Sequence, residues 1–468
     1  MAPEIRLTAQ WVAAAMAGTL VNGDGGREFS GVSIDSRTLA PGAVYIAIRG
    51  ERFDGADFAA DAVAKGAAGV VVARDRVGTT LSGAAVTIAV ADTTVALQAL
   101  AGAVRAASGT KVVAITGSAG KTTTKEVTAA FLETKYRVMR NQGNLNNHIG
   151  LPLSLIGLTA RPDVAVVELG MNHPGEIRTL VGIARPDIRV WTNVGDAHVG
   201  FFGSVDAIAD AKAEILEGAS ADEVLVANAD DDRIAARTSA FAGRVVTFGI
   251  ERPATVRAGT IVDRGIAGMG ARVTTPQGPV ELTTPLLGRG NLLNVLAATA
   301  VAVECGVPLA SIAARASQLH AAPHRGEVIR LSKGIVVIDD SYNASPAATR
   351  RALDVLRTAE TTGRRIAVLG EMLELGDRAV ELHEGVGRAA AAARLDQLIA
   401  VGGDAASALA GAAVSGGLAR ERVQYVAESG VAADAVAALV RPGDVILVKG
   451  SRGVHTDRVV DRLKAELA

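Results

Sequence analysis

The sequence predicts an α/β protein with more than one parallel sheet. Short β-rich runs recur along the chain, and each is followed by a segment of helical length. The runs are nearly continuous in apolar residues, which is typical of strands covered by helices on both faces. At roughly 150 residues per domain, a chain of 468 residues is long enough for three domains. The pattern therefore favours three domains of the α/β class.

The predicted strands share a β-branched, apolar composition and are bounded by glycine or polar residues. A further stretch, residues 251–285, has turn residues and Val/Thr pairs and predicts irregular β structure. The strands are predicted at Lys111–Thr116, Val164–Glu168, Ile188–Asn193, Val224–Asn228, Ile335–Asp339, Ile366–Gly370, Leu398–Val401 and Val445–Lys449.

Two short segments suggest domain boundaries. Residues 106–110 are small and polar and precede a new strand, whereas residues 321–325 end a helical region before another strand. These positions predict domains at 1–108, 109–322 and 323–468.

Composition excludes several functional classes. The 48 Lys and Arg residues balance 49 Asp and Glu residues, so we expect no nucleic-acid partner. No apolar run approaches the ~20 residues that span a bilayer, and no secretory signal is evident. The single cysteine, Cys305, lies in an apolar helical context and is expected to be a buried thiol. A reducing, cytoplasmic environment is the expectation.

The strongest local motif is a glycine turn between a strand and a helix. The strand ends at Thr116, and Gly117-Ser-Ala-Gly-Lys-Thr122 follows. Glycines let backbone N–H groups face phosphate oxygens, and a helix N-terminus adds further donors. Lys121 would reach the β- and γ-phosphates. The strict phosphate-loop pattern has glycine where this chain has Ile115. The shorter form, from Gly117 to Thr122, still favours nucleotide binding over the alternative of a plain strand–helix turn.

Two polar side chains follow strands that are expected to lie beside this turn. Glu168 ends one strand and His198 follows another, and ligands collect at the carboxyl ends of parallel strands. A helix cap for Glu168 and a structural role for His198 are the alternatives. Lys212, taken alone, is typical of an exposed lysine on a helix.

The ordered set of Gly117–Thr122, Asn144–Asn147, Glu168–Gly170, His198 and Lys212 resembles the Mur ligases. These are the ATP-dependent amide-forming enzymes of peptidoglycan precursor assembly. The likeness extends over nearly the whole chain.

Three later stretches are most similar to the branch of the family that joins D-alanyl-D-alanine to UDP-N-acetylmuramoyl-tripeptide. They are Asp339–Ala344, Val368–Gly376 with His383 downstream, and Val448–Arg452. The resemblance implies that ATP converts the tripeptide carboxylate into an acyl phosphate. The dipeptide amine then attacks it, giving the UDP-MurNAc-pentapeptide with ADP and phosphate.

The resemblance implies an ATP site made by the glycine turn, by two asparagines on a later helix and by two residues after position 322. Its residues are Gly117, Ser118, Ala119, Gly120, Lys121, Thr122, Thr123, Asn291, Asn294, Arg325 and Asp340.

It also implies contacts to the other substrates. For Asp35, Ser36 and Arg37, taken alone, an Asx-type turn with a surface arginine is the alternative. The implied residues are Ser33, Asp35, Ser36, Arg37, Asn144, Asn146, Asn343 and Ser451.

The implied cofactor besides ATP is Mg²⁺, held by Thr122, Glu168, His198 and Lys212. The family carries a carbamate on this lysine, which supplies the oxygen ligands that a hard cation prefers. Lys121, Lys212, His198 and Glu168 are the implied catalytic residues.

The implied organisation is an N-terminal UDP-substrate-binding α/β domain, a central P-loop-type parallel-sheet ATPase domain and a C-terminal Rossmann-like α/β domain that binds the dipeptide. The resemblance predicts a monomeric, cytoplasmic enzyme of cell wall biogenesis, cell shape and cell division. Two alternatives stay open: a sibling such as the tripeptide-forming Mur ligase or folylpolyglutamate synthase, and a regulatory P-loop NTPase.

Overall fold

Strands and helices alternate along the chain, as the apolar runs predict. The computed structural model describes residues 3–78 and 86–468. In chain order the strands are β1 (Leu7–Thr8), β2 (Thr19–Asn22), β3 (Glu28–Phe29), β4 (Val32–Ser33), β5 (Val44–Ile46), β6 (Gly69–Ala73), β7 (Thr87–Val90), β8 (Lys111–Thr116), β9 (Val138–Arg140), β10 (Val164–Glu168), β11 (Ile188–Trp191), β12 (Val224–Asn228), β13 (Arg244–Gly249), β14 (Val256–Asp263), β15 (Met269–Thr275), β16 (Gly278–Thr284), β17 (Glu327–Arg330), β18 (Val336–Asp340), β19 (Arg365–Gly370), β20 (Gln397–Val401), β21 (Val423–Val426) and β22 (Val445–Lys449).

Most strands are followed by a helix, which is the arrangement that parallel pairing requires. The α-helices are α1 (Ala9–Ala15), α2 (Ala59–Ala64), α3 (Thr93–Ser108), α4 (Lys121–Leu132), α5 (Gly150–Ile156), α6 (Glu176–Ala184), α7 (Val199–Phe202), α8 (Val205–Ala213), α9 (Asp232–Ala235), α10 (Gly288–Glu304), α11 (Leu309–Ala316), α12 (Pro346–Thr358), α13 (Ala379–Ala392), α14 (Asp404–Ser415), α15 (Ser429–Leu439) and α16 (Asp457–Leu467).

The strand predictions are confirmed. β8, β10, β12 and β22 have the predicted bounds, β11, β19 and β20 differ by one or two residues at one end, and β18 is shifted by one residue at both ends. The prediction of irregular β structure for 251–285 is wrong in its detail. β14, β15 and β16 form a regular antiparallel ladder whose pairing shifts register only between Gly259 and Val262.

The chain divides into two compact units. One comprises Met1–Ile115 and Lys135–Arg189, and the other comprises Thr116–Thr134 and Val190–Ala468. Within the described residues, no helix is both long and apolar enough to cross a bilayer.

The first unit contains a five-stranded sheet in the order β2-β7-β6-β5-β4. Its strands run parallel except β2. A buried cluster that includes Tyr45, Ala59 and Val70 packs on this sheet. In the same unit, β10 pairs in parallel with residues 111–115 of β8 and with β9, so Glu168 ends a buried strand.

The second unit contains the long helix α10, which is apolar on nearly every side and buried accordingly. It packs against α4 and against β13 and β14. The unit also contains a six-stranded sheet in the order β17-β18-β22-β19-β20-β21. Only β17 runs antiparallel to its neighbour.

A buried ion pair stabilises the six-stranded sheet at the end where β19 and β22 begin. The Asp444 carboxylate, 1% exposed, receives two hydrogen bonds from the Arg364 guanidinium and one from each of the Arg364 and Arg441 backbone N–H groups. Burial acts to raise the pKa of Asp444, but these hydrogen bonds outweigh it and lower the pKa below its ordinary value.

We expect Asp444→Asn to lower the free energy of unfolding by about 3 kcal/mol, because it leaves the Arg364 charge without its partner. Urea unfolding followed by circular dichroism measures the change. The matched control is Asp434→Asn, which breaks an exposed pair with Arg462 and should change stability by less than about 1 kcal/mol. Equal effects of the two substitutions would contradict a stabilising role for the ion pair between Asp444 and Arg364.

Candidate functional site

The glycine turn joins β8 to α4 and is shaped by two positive φ angles. Gly117 has φ +154° and Gly120 has φ +79°. A Cβ on Gly117 would collide with the Thr192 hydroxyl, and one on Gly120 would collide with the Asn294 amide. Both positions therefore require glycine, for conformation and for space.

Asn193 clamps the turn through its amide. Its Oδ1 accepts from the Ala119 N–H at 2.9 Å, and its Nδ2 donates to the Ala119 carbonyl at 2.8 Å. The Ser118 N–H donates to the Asn193 carbonyl at 3.0 Å, and the Ser118 hydroxyl accepts from the Gly195 N–H at 2.9 Å. The turn is therefore held in shape by the segment that follows β11.

Lys121 begins α4, and its ammonium bends back over the turn. Its Nζ donates to the Gly117 carbonyl at 2.8 Å. The charge is thus held at the place where a strand–glycine–helix motif receives phosphate.

Asn291 and Asn294 on α10 lie beside the turn. Asn294 Nδ2 donates to Asn291 Oδ1 at 3.1 Å, and Asn294 Oδ1 accepts from the Thr124 hydroxyl at 3.3 Å. The pair therefore ties α10 to the first turn of α4.

Arg325 and Asp340 reach the same region from the six-stranded sheet. Asp340 ends β18 opposite Lys449 at the end of β22. Lys449 Nζ lies 2.6 Å from Asp340 Oδ2 and donates to the Asn343 carbonyl at 2.9 Å. Lys449 is only 3% exposed, so this ammonium holds the carboxylate and the loop after β18 in one arrangement.

These elements enclose a cleft of about 710 Å³. Most of the predicted ATP-binding residues share it. Those that line it are Ser118, Ala119, Gly120, Thr123, Asn291, Asn294, Arg325 and Asp340. Asn343, predicted to contact substrate, lines it as well.

Arg351 on α12 adds a further positive charge to the cleft wall. Burial lowers the pKa of this arginine, and the nearby Asp340 carboxylate acts in the opposite direction. The cleft thus combines a glycine turn with Lys449, Arg351 and Arg325. Its size is that of ligand pockets in general, and its charges and backbone turn fit a nucleoside triphosphate.

His198 lies in the second unit, and its ring is close to a carboxylate that the sequence did not predict. Its backbone is left-handed, with φ +67°, and its Nδ1 lies 2.6 Å from Glu374 Oε2. The hydrogen bond with His198 lowers the pKa of Glu374, although partial burial of the carboxyl opposes this. The Gly200 N–H donates to the Glu374 carbonyl at 3.0 Å.

His383 anchors the loop 371–376, which carries Glu374. His383 Nε2 accepts from the Met372 N–H at 2.9 Å, and Nδ1 lies 2.7 Å from the Ala379 carbonyl. This pattern requires a neutral ring, and burial of His383 lowers its pKa. Ser451 also anchors the loop, because its hydroxyl accepts from the Leu373 N–H at 2.9 Å.

Lys212 is 2% exposed on α8. The sequence-based alternative of an exposed helical lysine is therefore wrong. The prediction failed because it rested on residue type: Lys212 lies four residues after the buried Ile208, on the face of α8 that packs inward.

Glu168 lies in the first unit and is 3% exposed. Asn146 Nδ2 donates to Glu168 Oε1 at 2.6 Å, and the Glu168 N–H donates to Asn141 Oδ1 at 3.0 Å. Asn144 belongs to the same loop, and its carbonyl accepts from the Asn146 N–H at 2.7 Å. The first unit therefore brings together Asn146 and Glu168.

The predicted metal set has members in both units, with Glu168 in the first and Thr122, His198 and Lys212 in the second. It has the Thr122 hydroxyl, the Glu168 carboxylate and the His198 imidazole, whose Nδ1 is engaged by Glu374. Among the described residues, no group of three or more His, Cys, Asp and Glu side chains is arranged to hold a metal. The predicted set contains two such residues, Glu168 and His198.

The N-terminal set forms an Asx-type turn. Asp35 accepts from the Arg37 N–H at 2.9 Å and pairs with its guanidinium at 2.7 Å, which lowers the pKa of Asp35 to about 2. The Asp35 N–H donates to the Ser33 hydroxyl at 3.1 Å. Ser36 is buried and Arg37 is exposed. This geometry agrees with the alternative that the segment suggests when it is taken alone.

Sequence reasoning missed Asn193, Lys449, Arg351 and Glu374. Asn193 follows β11 and Lys449 ends β22. Their positions at the carboxyl ends of strands were the signal that could have identified them. Arg351 and Glu374 have no local pattern, because helix packing places one and loop contacts place the other.

Three family models match the chain in succession. They are described as Mur ligase family, catalytic domain, over residues 28–130; Mur ligase middle domain, over 115–302; and Mur ligase, glutamate ligase domain, over 324–452. A Bacillus subtilis (strain 168) protein named UDP-N-acetylmuramoyl-tripeptide–D-alanyl-D-alanine ligase is 35% identical over 460 residues, which cover 98% of each chain.

Two solved structures are similar throughout. MurF from Acinetobacter baumannii has a TM-score of 0.89 and 31% identity, covering 99% of this chain and 100% of that one. MurF ligase from Thermotoga maritima in complex with ADP has a TM-score of 0.81 and 29% identity, covering 93% and 97%.

We expect Gly120→Ala to weaken nucleotide binding at least about tenfold, because its Cβ would displace Asn294 and strain the backbone. Isothermal titration calorimetry with ATP measures the loss. Gly109→Ala is the matched control: Gly109 also has positive φ, but its Cβ would meet open space. Unchanged affinity in Gly120→Ala would exclude the turn as the binding element.

We expect His383 to make stability pH-dependent. Its pKa in the folded protein lies below the ordinary 6.5, so its contribution is present above that pH and is lost as pH falls. Urea unfolding at about pH 7.5 and about pH 5.5 should show a smaller decrease for His383→Gln than for wild type. His455→Gln, at an exposed histidine, should behave as wild type. Parallel decreases in wild type and His383→Gln would refute the role.

Proposed function

The chain belongs to the Mur ligase family and has its three-domain α/β fold, and from this we propose that it joins D-alanyl-D-alanine to UDP-N-acetylmuramoyl-tripeptide at the expense of ATP. The observation that carries the proposal is the cleft in which the glycine turn meets Asn294, Arg325 and Asp340. The relatives' names supply the substrates.

The reaction needs activation, because a carboxylate at neutral pH is a poor electrophile. ATP, when bound, supplies a phosphoryl group to the tripeptide carboxylate, and the dipeptide amine then displaces phosphate and loses a proton as the amide forms. The barrier is lowered mainly by positioning and by stabilising charge on phosphoryl and carbonyl oxygens.

The residues of the cleft divide this work. Lys121 exchanges its contact with the Gly117 carbonyl for phosphate oxygens, and the N-terminus of α4 adds N–H donors. Arg325 supplies a second positive charge. Lys449 keeps the Asp340 carboxylate oriented toward the nucleotide.

Thr122, Glu168, His198 and a carbamate on Lys212 are the residues that would hold Mg²⁺. When bound, the cation neutralises phosphate charge. Glu374 orients His198 by accepting from its Nδ1, as carboxylates commonly do for metal-ligating histidines. A carbamate on Lys212 would replace an ammonium, whose sign is wrong beside Mg²⁺, by oxygen ligands.

Each remaining substrate is assigned to one of the predicted domains. Residues 1–108 bind the UDP part through Ser33, Asp35, Ser36 and Arg37, and residues 323–468 receive the dipeptide. The central domain, 109–322, binds ATP and places Asn144 and Asn146 near the reacting groups.

Phosphate release by the purified chain tests the proposal against a regulatory NTPase. Rapid release should require both UDP-N-acetylmuramoyl-tripeptide and D-alanyl-D-alanine. Release with ATP alone at the same rate would favour the NTPase. A panel that replaces the dipeptide by single amino acids, and the sugar peptide by shorter ones or by folate, separates the sibling ligases.

We expect Lys212→Ala to lose most ligase activity, because the anionic ligand is removed. Short carboxylic acids such as acetate should restore part of it by occupying the space of the carbamate. Amide formation measured with and without added acetate is the readout. The control is Lys464→Ala on α16, a lysine in the last turn of a helix distant in sequence. A Lys212→Ala variant as active as wild type would remove the residue from the site.

A further inference from the structure

Tyr342 lies two residues beyond Asp340, in the loop that follows β18. The Arg325 guanidinium lies over its ring, with Cζ 4.0 Å from the ring centroid. This distance is well inside the ~6 Å range of cation–π interactions. Arg325 lines the cleft, and the Tyr342 ring stacks with its guanidinium.

Backbone hydrogen bonds hold the two segments side by side. The Tyr342 N–H donates to the His324 carbonyl at 3.1 Å, and the Gly326 N–H donates to the Asp339 carbonyl at 2.8 Å. His324 Nδ1 lies 2.8 Å from the buried Asp339 carboxylate. Both neighbours of Arg325 are thus fixed against the segment that carries Tyr342.

The Arg325 guanidinium is the nearer of two cations at the Tyr342 ring, since Arg452 Cζ lies 5.8 Å from the same centroid. In the part of the chain that the structure describes, no carboxylate forms an ion pair with Arg325, whereas Lys449 is paired with Asp340. A flexible arginine loses rotamer freedom when it binds an anion, and a stacked one has already lost it. Stacking also leaves the guanidinium N–H groups available at its edge.

We propose that Tyr342 is a positioning residue whose ring holds the Arg325 guanidinium ready for the phosphates of ATP. The inference rests on the proposed function, because it requires the cleft to bind ATP. Tyr342 itself acts through Arg325 and needs no contact with the nucleotide.

The test compares ATP dissociation constants of the full chain, measured by calorimetry. Tyr342→Leu should weaken binding about 5- to 30-fold, whereas Tyr342→Phe keeps the ring and should stay within about twofold of wild type. Tyr342→Met serves in place of Tyr342→Leu if that variant is unstable by circular dichroism. Tyr425→Leu is the matched control, since Tyr425 is exposed and its hydroxyl donates to the Gly402 carbonyl.

A double-mutant cycle separates positioning from general damage. Arg325→Gln should weaken ATP binding strongly in the wild-type background. In the Tyr342→Leu background it should weaken binding little further, because Tyr342→Leu has already released the guanidinium. Independent, additive losses would overturn the inference, as would wild-type affinity in Tyr342→Leu. A wild-type chain that binds no ATP would instead overturn the proposed function, and the inference with it.

Discussion

The clamp between Asn193 and Ala119 is the interaction on which the rest of the cleft depends. One amide satisfies both the N–H and the carbonyl of the same residue, so the turn between β8 and α4 has its shape before any ligand arrives. Gly117 and Gly120 make this shape sterically possible, and Asn294 closes against the second of them. The helix dipole of α4, the Lys121 ammonium and the remaining N–H donors are useful only because this backbone is rigid.

The fold was largely predictable because its signals are local. Each buried parallel strand appears as an uninterrupted apolar run, and β8, β10, β12 and β22 carry that signal at both ends. The glycine turn was equally visible, since strand, glycine, lysine and helix are contiguous. The antiparallel ladder of β14–β16 was less visible because its exposed faces mix polar and apolar residues.

The site was predictable only in part, because it depends on contacts between distant segments. Strand ends pointed to Glu168 and His198, but nothing local indicates that Glu374 meets His198 or that Tyr342 lies under Arg325. Lys212 shows the opposite failure, since a helical lysine is usually exposed whereas this one lies on the buried face of α8. Residue type gives chemistry, whereas tertiary packing decides which groups meet.

The position of β22 has a consequence for how this protein is made. It follows the other strands in the chain, yet it lies between β18 and β19, and its last residue is Lys449. During synthesis, β18 and β19 leave the ribosome with their facing edges unpaired, and an unpaired edge invites association with other chains. The nascent protein therefore depends on its final strand both to close the sheet and to deliver the ammonium that holds Asp340, so a truncated product would be at once inactive and prone to aggregate.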